Sequence, residues 1–303
     1  MGNLPLLFMR HALLISQVPV IRTLLAGAVD YAGLFPPATH AMSAAVREYR
    51  QIHESEDAWA LGRFVVPAAR LTDFRDAGGG PWRLAAIAGN ELAKDLESIA
   101  RFNAHSTGAV VDTVEFRVMT PEALADALTT VPATLHRFAE WPLSADPAPF
   151  VALVRGTGVR AKFRTGGIVE DAFPEANMLL GHLSAVIAAG IPFKCTAGLH
   201  HPVRGQYRLT YERSSGQGKM YGFLNVMLAA AALQKGQAMD TARAILIEED
   251  RDAFQISSET LEWRGQKFTS GDLIHLRDGG FQSFGSCSFR EPMDELSALS
   301  RRP

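Results

Sequence analysis

The chain has 303 residues, 47% hydrophobic and 20% charged, with a formal net charge of −2 at neutral pH. That balance supplies no global field to recruit nucleic acid or an anionic membrane surface, and no run reaches the roughly 18 apolar residues of a membrane span. The only two cysteines, Cys195 and Cys287, make neither a disulfide framework nor a zinc-type spacing, which fits a reducing cytoplasm and no structural metal.

Residues 1–24 read as a leader segment covering one end of the domain. Arg10 and His11 break its apolar run and no basic stretch precedes it, so neither a signal peptide nor a membrane anchor is expected. From residue 25 strand-like runs alternate with amphipathic runs of helical period. The first predicted strand is Leu25–Tyr31, followed by a helix over His40–Leu61 with Ala45, Tyr49, Ile52 and Trp59 inward. The second strand, Gly62–Pro67, leads to a short helix that stops at three glycines. The third, Trp82–Ala88, leads to a helix over Glu91–Asn103 with Asn90 as its N-cap. The fourth, Thr113–Met119, is followed by Thr120-Pro121-Glu122, an N-cap with proline at N1 and an acid in the first turn. The fifth, Leu135–Trp141, precedes a helix opened by Asp146-Pro147.

The sixth and seventh strands lie in V-R-A-K-F-R-T-G-G from Val159 and I-P-F-K-C-T-A-G-L-H-H-P from Ile191. A helix over Pro174–Ala189 joins them and stops at Gly190. The alternation then fails from about 203 to 279. Tyr207–Lys219 reads as an exposed loop. Gly222–Gln234 reads as an apolar helix suited to core, lid or subunit interface, which leaves a homo-oligomer open. Asp240–Asp250 and Ser270–Arg277 read as further helices. An eighth strand over Gly280–Cys287 and a last helix over Pro292–Leu299 follow. Eight such units predict a single α/β domain over 25–303, a (β/α)₈ TIM barrel with a long helical insertion between strands seven and eight. No GxGxxG follows the first strand, so no dinucleotide cofactor is expected.

Side chains alternate faces along a strand. Lys162 and Arg164 therefore share one face, as do Lys194 and Thr196, while Phe163 and Cys195 face the helices. A strand covered by helices is normally apolar on both faces, and a buried lysine is costly unless it is paired or neutral. Barrel active sites sit at the C-terminal strand ends. The residues expected there include Asp30, Glu115, Arg117, Glu140, Lys162, Arg164, Lys194, Thr196, Ser286 and Ser288. Glycines accompany them: Thr165-Gly166-Gly167 after strand six, Gly198 after strand seven and Gly285 in F-G-S-C-S. Glycine lets backbone N–H groups approach an anion. These features point either to a salt-bridge network at the barrel mouth or to a site for chemistry on an anionic or carbonyl substrate.

The motifs K-x-x-T-G from Lys162, K-x-x-x-G from Lys194 and F-G-x-x-S from Phe284 resemble the class I aldolases of the deoxyribose-phosphate aldolase type. The resemblance implies a TIM barrel without a cofactor. It implies that Lys162 forms a Schiff base, that Lys194 lowers the Lys162 pKa, and that Glu115 relays protons. Gly198, Gly285, Ser286 and Ser288 would then contact phosphate. Glu115 stands where that family has an aspartate, Arg164 where it has a small hydroxyl residue, and the segment after Pro202 has no counterpart. Glu140 is a second acid within reach for proton transfer. Two other readings stand beside this one. His200 or His201 with carboxylates suggests a metal-dependent barrel enzyme, and the cationic funnel suggests a non-catalytic anion-binding barrel.

Overall fold

The computed structural model describes residues 15–300. Eight parallel strands close into a barrel: β1 (Val29–Tyr31), β2 (Leu61–Pro67), β3 (Arg83–Ile87), β4 (Val110–Arg117), β5 (His136–Glu140), β6 (Arg160–Arg164), β7 (Phe193–Thr196) and β13 (Phe281–Ser286). β13 lies between β7 and β1 and closes the ring. The TIM barrel read from the alternation is thus the fold. No helix among the described residues is long and apolar enough to cross a membrane.

The local signals explain most of the helices. α1 (Pro19–Leu25) begins with proline and buries Val20, Ile21, Leu24 and Leu25 just ahead of β1. Leu25 therefore ends a helix rather than opening a strand, and Gly27, at φ +59°, makes the turn into β1. α2 (Met42–His53) buries Ala45, Tyr49 and Ile52. It is shorter than the periodicity predicted: a turn over 54–57 intervenes, Trp59 sits in a 3₁₀ turn, and Leu61 already belongs to β2. After α3 (Leu71–Asp76), α4 (Leu92–His105) starts without a side-chain cap. Asn90 is not its N-cap; the nearby backbone donor of Gly89 is satisfied instead by Asp95 Oδ2 at 2.7 Å. In α5 (Pro121–Thr130) and α6 (Pro147–Val154) the expected Thr120 and Asp146 caps accept from Ala123 N and Ala148 N. α7 (Ala176–Ala188) ends as predicted near Gly190, at φ +66°.

The insertion is a mixed layer rather than a purely helical one. The predicted loop over 207–219 contains parts of two antiparallel strands, β8 (Gly205–Arg208) and β9 (Gln217–Met220). α8 (Phe223–Gln234) is core, with Phe223 through Ala232 buried. Within it Asn225 is wholly buried, donating to Ile245 O and Glu248 O and accepting from Arg204 N, so it ties three segments of the insertion together. α9 (Met239–Leu246) follows. Next come three antiparallel strands that the sequence reading left out: β10 (Phe254–Ile256), β11 (Thr260–Trp263) and β12 (Gln266–Thr269). Arg264 and Gly265 both have positive φ, the geometry of a tight hairpin turn, and Leu261 and Phe268 share the buried face. α10 (Ser270–Gly279) then feeds β13, and α11 (Arg290–Leu299) closes the chain's described part.

The buried carboxylate and amine ladder at the barrel mouth

The inward positions of a barrel are ordinarily filled by bulky branched residues. Here several carry charge. The register aligns Glu140 with Lys162 and Lys162 with Lys194 across β5, β6 and β7, so one row of the interior is acid, amine, amine. Glu115 on β4 and Asp30 on β1 complete it from the sides. Lys162, Lys194, Glu115 and Asp30 are all at most 5% exposed.

Their contacts form a ladder of alternating sign. Lys194 Nζ donates to Asp30 Oδ2 at 2.5 Å and to Glu115 Oε1 at 2.6 Å. Lys162 Nζ lies 2.9 Å from Glu115 Oε2 and 3.0 Å from Glu140 Oε2. Glu140 Oε1 then accepts from Arg117, at 2.9 Å, and from Arg164, at 3.3 Å. Glu115 thus bridges the two amines, one oxygen to each. The Phe138 ring lies 5.4 Å from Lys194 Nζ and adds a π face beneath it.

Burial and charge oppose each other at every rung. Burial alone would raise the Glu115 carboxyl, but the ammonium groups of Lys162 and Lys194 outweigh it and hold it down at about 2. Burial likewise pushes Glu140 up, and Lys162 with Arg164 overrides it to about 2. Lys194 is pulled down by burial and raised on balance by Asp30 and Glu115, so it remains an ammonium. Asp30 is saturated: its second oxygen accepts from Arg63 N at 2.8 Å, and Ser283 Oγ donates to Oδ2 at 2.6 Å. Ser283 escaped the sequence reading. Its signal is parity, since it stands two residues before Gly285 on the inward side of β13. Gly62 is required opposite, because a Cβ there would lie 2.4 Å from Asp30 Oδ1.

The ladder opens on a cavity of about 260 Å³ lined by Lys162, Lys194, Glu115, Arg164, Gly167, Thr196, His200, Gly285 and Cys287, with Phe35 and Pro36 from the loop after β1. A second cavity of about 310 Å³ adjoins it, lined by Arg117, Glu140, Trp141, Arg164 and Met178 among others. Arg164 lines both.

The remaining predicted residues divide. Thr165 is buried and its hydroxyl donates to Ala197 O at 2.6 Å, latching the loops after β6 and β7 together. Gly166 and Gly198 serve the same junction: a Cβ on Gly166 would meet Gly198 Cα at 3.0 Å. Ser286 Oγ donates to Ser288 O, and Ser288 Oγ accepts from Glu291 N, so both hydroxyls brace the loop before α11 and neither lines the cavity. Cys195 faces the helices, and burial pushes its thiol pKa up.

The adjacent histidines point apart, as extended neighbours must. His200 faces the cavity, with Nδ1 3.2 Å from Ser286 Oγ, 3.4 Å from Glu291 and 3.8 Å from Cys287 Sγ. Burial pulls its pKa down, but Cys287 and Glu291 dominate and push it up to about 10. His201 turns away, stacking on Tyr207 at 3.4 Å and meeting Glu295 at 2.7 Å. The carboxylates paired with the histidines are those of α11, not Asp30 or Glu140. Among the described residues no three His, Cys, Asp or Glu side chains converge as a metal-holding group. In the segment after β7, Arg204 and Lys219 both pair with Glu249.

No family model matches the chain, and no curated protein matches it in sequence.

Proposed function

We propose that the protein is a barrel lyase of the aldolase kind, acting on a small carbonyl-containing anion through Lys162. The observation that carries this reading is the ladder itself: a lysine amine beside two carboxylates, with a second lysine behind it, at the wall of a cavity of about 260 Å³. A folding role alone is a poor account of such a network, because apolar residues of similar volume generally stabilise a core at least as well.

The chemistry follows from the distances. Lys162 attacks the carbonyl carbon with its lone pair as its proton moves to the carbonyl oxygen, relayed by Glu140 or Glu115, each within 3.0 Å of the amine. The carbinolamine oxygen takes up protons and leaves as water, giving an iminium. The iminium accepts the electron pair of the Cα–Cβ bond as that bond breaks, the β-hydroxyl loses its proton through Glu140 or Glu115 and departs as a carbonyl, and the enamine left on Lys162 is protonated and hydrolysed by water to free the amine. Lys194, kept charged by Asp30 and Glu115, places a fixed positive charge behind the Lys162 amine. Arg164, Thr196 and His200 line the space that the anionic part would occupy.

Borohydride reduction in the presence of pyruvate, followed by peptide mass mapping, tests this. The expected result is an adduct on Lys162 that is lost in Lys162→Met. Absence of any adduct across a panel of aldehydes and 2-oxo acids refutes the covalent step. The double pairing of Lys162 favours a second reading, in which it stays an ammonium and polarises a substrate oxygen without a covalent bond. Ligand binding that disappears in Lys162→Met while no adduct forms in the parent chain would select it.

A further inference from the structure

The second cavity differs in character from the first. Its lining includes Met119, Trp141, Leu143 and Met178, with Arg117, Arg164, Glu140 and Asp171 as its charged members. Met119 and Met178 are 61% and 46% exposed, more than large apolar side chains usually are without a partner. Trp141 is held in place, with Nε1 donating to Asp146 O at 3.1 Å and its ring 5.8 Å from Phe150.

The two cavities meet at one residue and one carboxylate. Arg164 lines both, and Glu140, which lines the outer one, lies 3.0 Å from Lys162 Nζ in the inner one. Arg164 engages Glu140 through Nε at 3.3 Å, and among the described residues its two terminal nitrogens have no hydrogen-bonding partner. A planar guanidinium with its terminal donors free is suited to a carboxylate. The ladder also carries one more cation than acid: Lys162, Lys194, Arg117 and Arg164 against Asp30, Glu115 and Glu140.

We infer that the outer cavity is a subsite for the apolar or aromatic side chain of a 2-oxo acid. The acid's carboxylate lies on Arg164 and its carbonyl beside Lys162. This assignment of substrate class rests on the carbonyl reading above for the inner cavity, while the outer subsite stands on the cavity, the arginine and the methionines. The adjacent carboxylate and carbonyl of a 2-oxo acid match the adjacency of Arg164 and Lys162 on one strand face, and the outer cavity, which Arg164 also lines, is open to the side chain.

Calorimetric titration with 3-phenylpropionate and with propionate, neither of which has a ketone, tests the subsite. The expected result is that the phenyl acid binds at least about tenfold tighter. That preference should vanish in Met119→Ser/Met178→Ser, with propionate binding unchanged. Equal binding of the two acids overturns the inference, as does a preference that survives the double substitution. Failure of both acids to bind overturns the carboxylate placement on Arg164. Borohydride trapping with phenylpyruvate separates the two layers. A phenyl preference without a Lys162 adduct leaves the subsite standing and removes the Schiff base; an adduct without the preference does the reverse.

Discussion

Glu115→Gln is the sharpest probe of the ladder, because it deletes one charge while nearly preserving shape. Glu115 is 1% exposed and gives one oxygen to each lysine, at 2.9 and 2.6 Å. After substitution Lys162 keeps Glu140 and Lys194 keeps Asp30, but two carboxylates then face four cations in the ladder. A carboxyl lowered from 4.5 to about 2 contributes roughly 3 kcal/mol at neutral pH, at 1.36 kcal/mol per unit. That matches the roughly 3–5 kcal/mol lost when one member of a buried pair is removed. The melting temperature should fall by on the order of 6 °C or more.

The pH dependence carries the sign. A depressed carboxyl stabilises fully above its unfolded value, about 4.5, and loses that contribution as pH falls through the folded value near 2. The gap between parent and variant should therefore be constant from pH 7 to 5 and shrink to roughly half by pH 3. Urea unfolding at stepped pH, followed by both tryptophan fluorescence and circular dichroism, measures it. A variant within about 0.5 kcal/mol of the parent at pH 7, or a gap that does not narrow with acid, would refute the ladder as described.

Gly62→Ala should destabilise the fold and weaken ligand binding, since its Cβ would sit 2.4 Å from Asp30 Oδ1 and displace the partner of Lys194; thermal melting and titration with 3-phenylpropionate check it. Lys194→Met leaves Asp30 and Glu115 without their shared ammonium, so a loss of roughly 3–5 kcal/mol is expected by urea unfolding, with partial recovery in Lys194→Met/Asp30→Asn. His200 should stay protonated through pH 8 in an NMR titration. Its raised pKa contributes stability below the unfolded value of about 6.5, and that contribution is lost as pH rises through about 10. Glu291→Gln should bring the His200 titration back toward neutrality, and an unchanged titration would count against the pairing at 3.4 Å.

Alternation of apolar runs, caps such as Thr120 and Asp146, and the turn glycine Gly190 were enough to read a barrel, because those signals act within a few residues of chain. Strand parity also placed Lys162 and Lys194 inward and Cys195 outward, since side-chain period is a local property. Parity says nothing about partners across the barrel. That Glu115 bridges both amines, that Asp30 is saturated by Lys194, Arg63 N and Ser283, and that Arg164 is shared by two cavities all depend on strand register and closure. The insertion failed locally for a related reason. β8 and β9 are short and largely polar, so they show no hydrophobic period of their own, and they pair only with each other across the loop over 209–216. Ser286 and Ser288 carried the residue types of an anion loop, yet the α11 junction uses their hydroxyls. Residue type and spacing determined which groups reach the barrel mouth; only the closed tertiary structure decided which charges neutralise each other there, because Coulomb and hydrogen-bond energies depend on distances that span the whole chain.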